Sequence, residues 1–173
     1  CTQLFFLMSG TLRVVSHADN YRYRIEEEMS APAVIQPEHL FGLMQRYTKD
    51  FIAQTDCSLL SLDKSEVLRL LDYYLIFRLN LLNSISMQAQ RMSHIPWRQQ
   101  PSDIRQQFIN FLRLRCLTQA GHKVLKIRME DLAQELHQSR LNVSRMLNAL
   151  QRDGLLTMSR GVITVPQLEA LRG

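Results

Sequence analysis

The stretch Met129-Glu130-Asp131-Leu132-Ala133-Gln134-Glu135-Leu136-His137-Gln138-Ser139-Arg140-Leu141-Asn142-Val143-Ser144-Arg145-Met146-Leu147-Asn148-Ala149-Leu150 decides the fold of the C-terminal half of the chain. Its apolar spacing predicts two short helices. The first covers Met129 to Leu136. The second opens at Ser139 and carries Val143, Met146, Leu147 and Leu150 on its inner face. His137-Gln138 forms the turn between them. Leu132 and Ala133 pack on Val143 and Leu147, and Ala133 is small where the helices must approach closely. Asp153-Gly154 ends the second helix. Leu155-Leu156-Thr157-Met158, the turn Ser159-Arg160-Gly161, and Val162-Ile163-Thr164-Val165 then read as a hairpin. With the strand Lys123 to Ile127 in front, the order is that of a winged helix-turn-helix.

The chemistry of the second helix suits duplex DNA. Ser139, Arg140, Asn142, Ser144 and Arg145 form its outward polar face. A helix of this width enters the major groove, where Arg pairs bidentately with guanine and Asn with adenine. Arg160 at the hairpin tip reaches a phosphate, and Arg128 ahead of the first helix completes the expected DNA-binding set. The plainer reading is a small helical domain with a solvated polar face. A second class of function is an effector-binding or protein-interaction module whose helix-turn-helix docks protein. The outward Arg140, Asn142 and Arg145 favour DNA. A third class, an enzyme, is set aside. The sequence has no Gly-rich phosphate loop, no paired metal ligands and no nucleophile–base arrangement.

Charge points the same way. Residues 1–96 hold nine Lys/Arg against ten Asp/Glu, a net of −1, and residues 97–173 hold twelve against six, a net of +6. A basic back half suits a polyanion partner. The chain has 173 residues, 46% hydrophobic and 21% charged, an ordinary balance for a folded protein. No apolar run approaches the ~18 residues that span a membrane, so no membrane partner is expected and the chain is placed in the cytoplasm. Cys1, Cys57 and Cys116 lack the spacing of a disulfide framework or a zinc site. The chain starts on Cys1 close to an apparent strand, so the expected full protein extends further toward its N-terminus.

The front third reads as short strands: Leu4 to Met8, Leu12 to Val15, Tyr21 to Ile25, Ala33 to Ile35, Phe51 to Ala53 and Cys57 to Leu62. Such spacing predicts a small antiparallel roll. Asp63 is placed to cap a short helix. A longer helix is expected from Tyr73 to Ser93, with a seam of Leu75, Leu79, Leu82, Ile85, Ala89 and Met92. That seam packs either on the domain's own core or on a second copy of the chain. Pro96 to Pro101 ends the helix and forms a hinge. Ser102 caps a further helix, with Ile104, Phe108, Phe111, Leu112 and Leu117 buried. The class is α+β: an incomplete roll of cupin-like, jelly-roll type over 1–72, a dimerisation helix over 73–96, and the winged helix-turn-helix over 97–173.

The residues from Asp131-Leu132-Ala133 through Ser139-Arg140-Leu141-Asn142-Val143-Ser144-Arg145, with Gly154-Leu155-Leu156, resemble the CRP/FNR superfamily of bacterial transcription regulators. The likeness covers nearly the whole chain. It implies a homodimer on a palindromic operator, RNA polymerase as a further partner, and base and phosphate contacts from Ser139, Arg140 and Arg145. Two positions depart from the family: Leu141 stands where Glu often reads cytosine, and His137 stands where glycine is common in the turn. The family's cyclic-nucleotide pocket uses a Gly-Glu pair and an Arg-Ser pair. Here Gln36-Pro37 and Tyr47-Thr48 occupy those places, with Arg46 one residue off. Without the guanidinium a cyclic phosphate loses its charge-assisted partner, so the expected effector is not cyclic AMP. Its identity, and any cofactor, stay open. Haem stays open, with His17, His39 and His94 as candidate ligands, and an iron–sulfur cluster lacks its cysteines in this stretch.

Overall fold

The computed structural model describes residues 2–93 and 101–172 and is α+β. Cys1, His94, the hinge residues from Pro96 to Gln100 and the side chain of Met92 lie outside the described residues. The chain forms two compact units. One comprises residues 1–12, 29–48 and 52–98, and the other 13–28, 49–51 and 99–173. The second therefore takes in residues that the sequence reading placed with the roll.

In the first unit, β1 (Gln3–Ser9) lies between β4 (Ala33–Ile35) and β6 (Ser58–Asp63), antiparallel to both. Phe5 stands opposite Ile35 on one side and Ser61 on the other. Gly10 follows β1 with φ +91, and a Cβ there would lie 2.4 Å from the Asp56 carbonyl oxygen and 2.7 Å from Cys57 Sγ. Only glycine fits such a turn. α1 (Lys64–Tyr73) starts behind Asp63, as expected, but the Asp63 carboxylate caps nothing. It accepts instead from Gln3 Nε2 at 2.9 Å.

The expected helix from Tyr73 to Ser93 is interrupted at its start. Tyr74 is extended at φ −121, ψ 100, and α2 runs over Leu75–Ser93. The unit's core is Leu4, Leu40, Val67 and Leu81, with Phe6, Leu71, Phe77 and Ile85 packed around it. α2 thus carries two apolar rows. Phe77, Leu81 and Ile85, spaced four apart, face this core. Leu75, Leu79, Leu82 and Ala89 are exposed. The sequence reading put Ile85 in one seam with Leu75, Leu79, Leu82 and Ala89, whereas the structure packs it on the core with Phe77 and Leu81. Position 85 lies three residues after Leu82 and four after Leu81, so periodicity alone permits either row.

The second unit is built on β7 (Lys123–Ile127). β7 pairs antiparallel with β9 (Val162–Val165) on one side and with β3 (Tyr23–Ser30) on the other. β9 continues to β8 (Thr157–Ser159), so Leu155 and Leu156 precede the hairpin strand in which the sequence reading had placed them. Beyond β3 come β2 (Thr11–His17) and β5 (Lys49–Ala53). β3 starts two residues later than expected, because Tyr21 sits in the turn at φ 55, and it runs on through Glu26-Glu27-Glu28. α3 (Ile104–Arg115) is capped by Asp103, whose carboxylate accepts from the amides of Arg105 and Gln106. Ser102, the expected cap, lies one residue outside. Both residue types cap well, and the extended backbone at Asp103 (φ −78, ψ 126) makes it the cap. Leu117 lies past the helix end, and Ile109 and Cys116 complete the buried set in its place.

One interaction in this sheet is buried completely. Lys123 Nζ lies 2.8 Å from Glu27 Oε1, with side-chain exposures of 2% and 1%. Lys123 also donates to Thr118 Oγ1 at 2.7 Å, while Glu27 accepts from the amides of Leu117 at 2.7 Å and Thr118 at 3.3 Å. Next to it, Glu26 accepts from Lys126 at 2.7 Å and Arg24 at 3.1 Å. Burial pushes the Glu26 carboxyl upward, but Lys126, Arg24 and Arg13 together hold it below the usual carboxylate range. Removing one partner of a buried pair leaves an uncompensated charge. Lys123→Met should therefore lower unfolding stability by about 3–5 kcal/mol, while Glu27→Leu with Lys123→Met recovers most of the loss. Thermal and denaturant melts of the three proteins check this. A single variant as stable as the parent shows that the pair does not hold the sheet.

Candidate nucleic-acid interface

α4 (Met129–Glu135) follows β7 directly, and α5 (Arg140–Arg152) follows α4 after a four-residue connection. Leu132, Ala133 and Leu136 of α4 pack with Val143, Met146, Leu147 and Leu150 of α5 in one core that also holds Phe108 and Leu112 of α3. The turn is tight. Gln138 N donates to Ala133 O at 3.0 Å and His137 N to Gln134 O at 3.1 Å. His137 adopts φ +52, the left-handed region where glycine costs less. Its side chain is exposed. Gln138 Nε2 donates to Gln107 Oε1 of α3 at 3.1 Å, which ties the turn to the scaffold.

Further polar contacts fix α4. Arg115 donates to Glu135 at 2.8 Å and to the Tyr23 hydroxyl at 2.7 Å, with its guanidinium 4.1 Å from the Phe111 ring centre. Arg22 lies 3.7 Å from the buried carboxylate of Asp131, which also accepts from Arg128 at 3.0 Å. With α4 anchored on two sides, α5 is held by a rigid neighbour.

The outward face of α5 is as the sequence suggests. Ser139 is the N-cap, its hydroxyl accepting from Asn142 N at 3.1 Å. Arg140, Asn142 and Arg145 are exposed, and Ser144 is half-buried with Asn148 Nδ2 3.4 Å from its hydroxyl. Arg128 stands at the N-cap of α4 and Arg160 in the turn between β8 and β9. Arg128, Arg140 and Arg160 line one cleft of ≈ 440 Å³ between the helices and the wing. Asn142 and Arg145 border a second of ≈ 520 Å³ beside the start of α3. One partner went unread in the sequence: Glu130 Oε1 lies 2.9 Å from Arg140 Nη1. Its signal was only a carboxylate in the first turn of α4. Asn148, seven residues after Leu141 and so on the same helix line, was recoverable from periodicity.

In the first unit, the residues at the expected nucleotide-pocket positions bond to one another. Gln36, left-handed at φ 40 and buried, donates through Nε2 to Thr48 Oγ1 at 2.9 Å and accepts through Oε1 from Thr48 N at 3.2 Å. Tyr47 donates its hydroxyl to Gln3 O at 2.8 Å, and desolvation pushes its pKa up. Arg46 is exposed. His17 pairs with Asp50 at 3.0 Å, and His39 Nδ1 lies 3.2 Å from the Met44 carbonyl. Among the described residues, no three His, Cys, Asp or Glu side chains are grouped to hold a metal.

A helix-turn-helix with an exposed polar recognition face and a two-stranded wing defines a DNA-binding protein. Residues 106–173 match the model of the Crp-like helix-turn-helix domain, and residues 1–74 match that of the cyclic nucleotide-binding domain. With both domains in that order, the chain belongs to the CRP/FNR family of transcription regulators. It is thus a regulator and not an enzyme. Solved structures with similar folds include a transcriptional regulator from Thermotoga maritima (22% identity, TM-score 0.49, over 54% of this chain and 72% of that one). Another is the c-di-GMP responsive global regulator CLP of Xanthomonas campestris (17%, 0.46, 95% and 84%). A third is the catabolite activator protein of Thermus thermophilus (20%, 0.40, 99% and 80%). No curated protein matches the chain in sequence. Among the described residues no helix is long and apolar enough to cross a membrane.

Proposed function

We propose that the chain is a homodimeric, sequence-specific regulator that reads a palindromic duplex site through α5 and answers to an effector other than cyclic AMP. The observation that carries this reading is the first turn of α5. Arg140, Asn142 and Arg145 stand free of the core while Val143, Met146 and Leu147 anchor the helix behind them. Ser139, Ser144, Arg128 and Arg160 extend the contact to neighbouring bases and phosphates. The net charge of +6 over residues 97–173 supplies the long-range attraction. RNA polymerase is the second partner that a regulator of transcription engages, and the cytoplasm is where both partners are found.

The assembly follows from α2. Its outward row of Leu75, Leu79, Leu82 and Ala89 faces away from the unit's own core, and Tyr73, Tyr74 and Ile76 are exposed nearby. An apolar row along about four helical turns suits a second copy of the same helix. Two recognition helices about 34 Å apart would then meet successive turns of one groove. One helix alone buries too little surface for tight specific binding. The effector reading rests on Gln36 and Thr48, whose mutual hydrogen bonds occupy the groups that a cyclic phosphate would need.

Three outcomes are expected. Arg140→Ala should weaken a selected operator by about 1–3 kcal/mol, whereas Arg160→Ala should weaken all duplexes more evenly, as phosphate contacts do. Fluorescence-anisotropy titrations at two salt concentrations measure both, and parent-like binding by both variants removes the recognition assignment. Calorimetry should detect no micromolar binding of cyclic AMP, and such binding would overturn the effector reading. Leu79→Asp with Leu82→Asp should dissociate the dimer in sedimentation runs and abolish operator binding, because like charges would be buried unpaired. A double variant that stays dimeric places the interface elsewhere.

A further inference from the structure

The outermost line of α5 carries an apolar residue. At 3.6 residues per turn, Leu141, Ser144, Arg145 and Asn148 lie along one side of the helix, and Val143, Met146, Leu147 and Leu150 lie on the other. Leu141 therefore points directly away from the core, from the first turn of the helix and between Arg140 and Asn142. Among the described residues after Pro101, two large apolar side chains are exposed: Leu114 at 36% and Leu141 at 58%. Leu114 sits near the end of α3, outside α5. Every other position on the outward line is polar and able to hydrogen-bond.

We infer that Leu141 is a specificity-determining residue that contacts the 5-methyl group of a thymine in each operator half-site. The inference rests on the proposed reading of α5 as the helix in the major groove. In that groove the thymine methyl is the one apolar feature displayed by a base pair, and side chains near the N-terminus of a recognition helix meet base edges. Leucine offers no donor or acceptor, so it gains nothing against guanine, adenine or cytosine edges and leaves their polar groups unpaired. Against thymine it removes two apolar surfaces from water at once. Flanked by Arg140 and Asn142, the residue reads a thymine inside a run that also holds hydrogen-bonded purines.

The full chain first selects a site from a pool of random-sequence duplexes. Each thymine in the selected half-site is then replaced in turn by deoxyuridine, which lacks only the 5-methyl group. One position per half-site should lose roughly fourfold in affinity, the factor corresponding to one buried methyl. Leu141→Ala should bind the thymine site more weakly than the parent and no longer distinguish thymine from deoxyuridine there. Leu141→Met, which keeps an apolar reach, should retain the distinction. Matching circular dichroism shows that the variants fold alike. The inference is overturned if the half-site holds no thymine, or if Leu141→Ala keeps the parent's affinity or its discrimination. In that case Arg140→Ala, measured on the same site, still reports on the proposed function: a loss there leaves α5 as the reading helix. A parent chain that selects no site removes both.

Discussion

The buried pair of Lys123 and Glu27 is the constraint on which the DNA-binding unit depends. A lysine ammonium and a carboxylate removed from water are tolerated only in mutual contact with their remaining hydrogen bonds filled. Here Thr118 Oγ1 and the amides of Leu117 and Thr118 fill them. The two residues stand opposite each other in the β3–β7 ladder, so a slip of one residue would separate the charges and put them on opposite faces of the sheet. That fixes the position of β7. The other edge of β7 takes β9 and through it the wing, and the last residue of β7 is followed at once by Arg128, the N-cap of α4. The start of the first helix and the placement of the wing are thus set by one strand whose register is locked by charge.

From β7 the constraint passes to the recognition helix through α4. Seven residues form too short a helix to be stable alone. α4 is fixed by its apolar side on α5 and α3, and by Arg115 and Arg22 at Glu135 and Asp131. The aromatic rings of Phe111 and Tyr23 hold the Arg115 guanidinium, leaving it little freedom to lose when it pairs with Glu135. α5 then rests on a neighbour held by both apolar and charged contacts. A helix that presents three side chains to base edges, as proposed for α5, needs its neighbours held in place more than it needs stability.

The helix-turn-helix was legible because its signals are local. Ser139, Val143, Leu147 and Gly154 sit within sixteen residues, and each acts on its own neighbours. The extension of β3 was not legible. Three consecutive glutamates resemble a solvated loop until Lys123 and Lys126, about a hundred residues away in sequence, neutralise two of them. The cap of α3 was misassigned between adjacent Ser102 and Asp103, both good caps, and only backbone geometry separates them. Ile85 was read into one seam with Leu82 and Ala89 because α2 is apolar on two sides and periodicity does not separate the rows. At the expected nucleotide-pocket positions the residue types at 36, 47 and 48 were readable, but the left-handed backbone at Gln36 and its bonds to Thr48 were not.

The pair between Arg140 and Glu130 bears on how the proposed reading head would discriminate. Both side chains are largely exposed, so opening the pair costs about 0–1 kcal/mol. A bidentate bond to guanine returns about 1–3 kcal/mol. At a cognate base the exchange is favourable, and at any other base Arg140 gives up a partner for weaker contacts. Glu130 also repels phosphate on every sequence alike. Its presence therefore lowers affinity for every duplex by the same factor and leaves the ratio between cognate and non-specific sites to the base contact of Arg140. For a back half of net charge +6, attracted to any duplex, a small uniform penalty of this kind limits the total grip on DNA, while the hydrogen bonds of Arg140 set the choice of site.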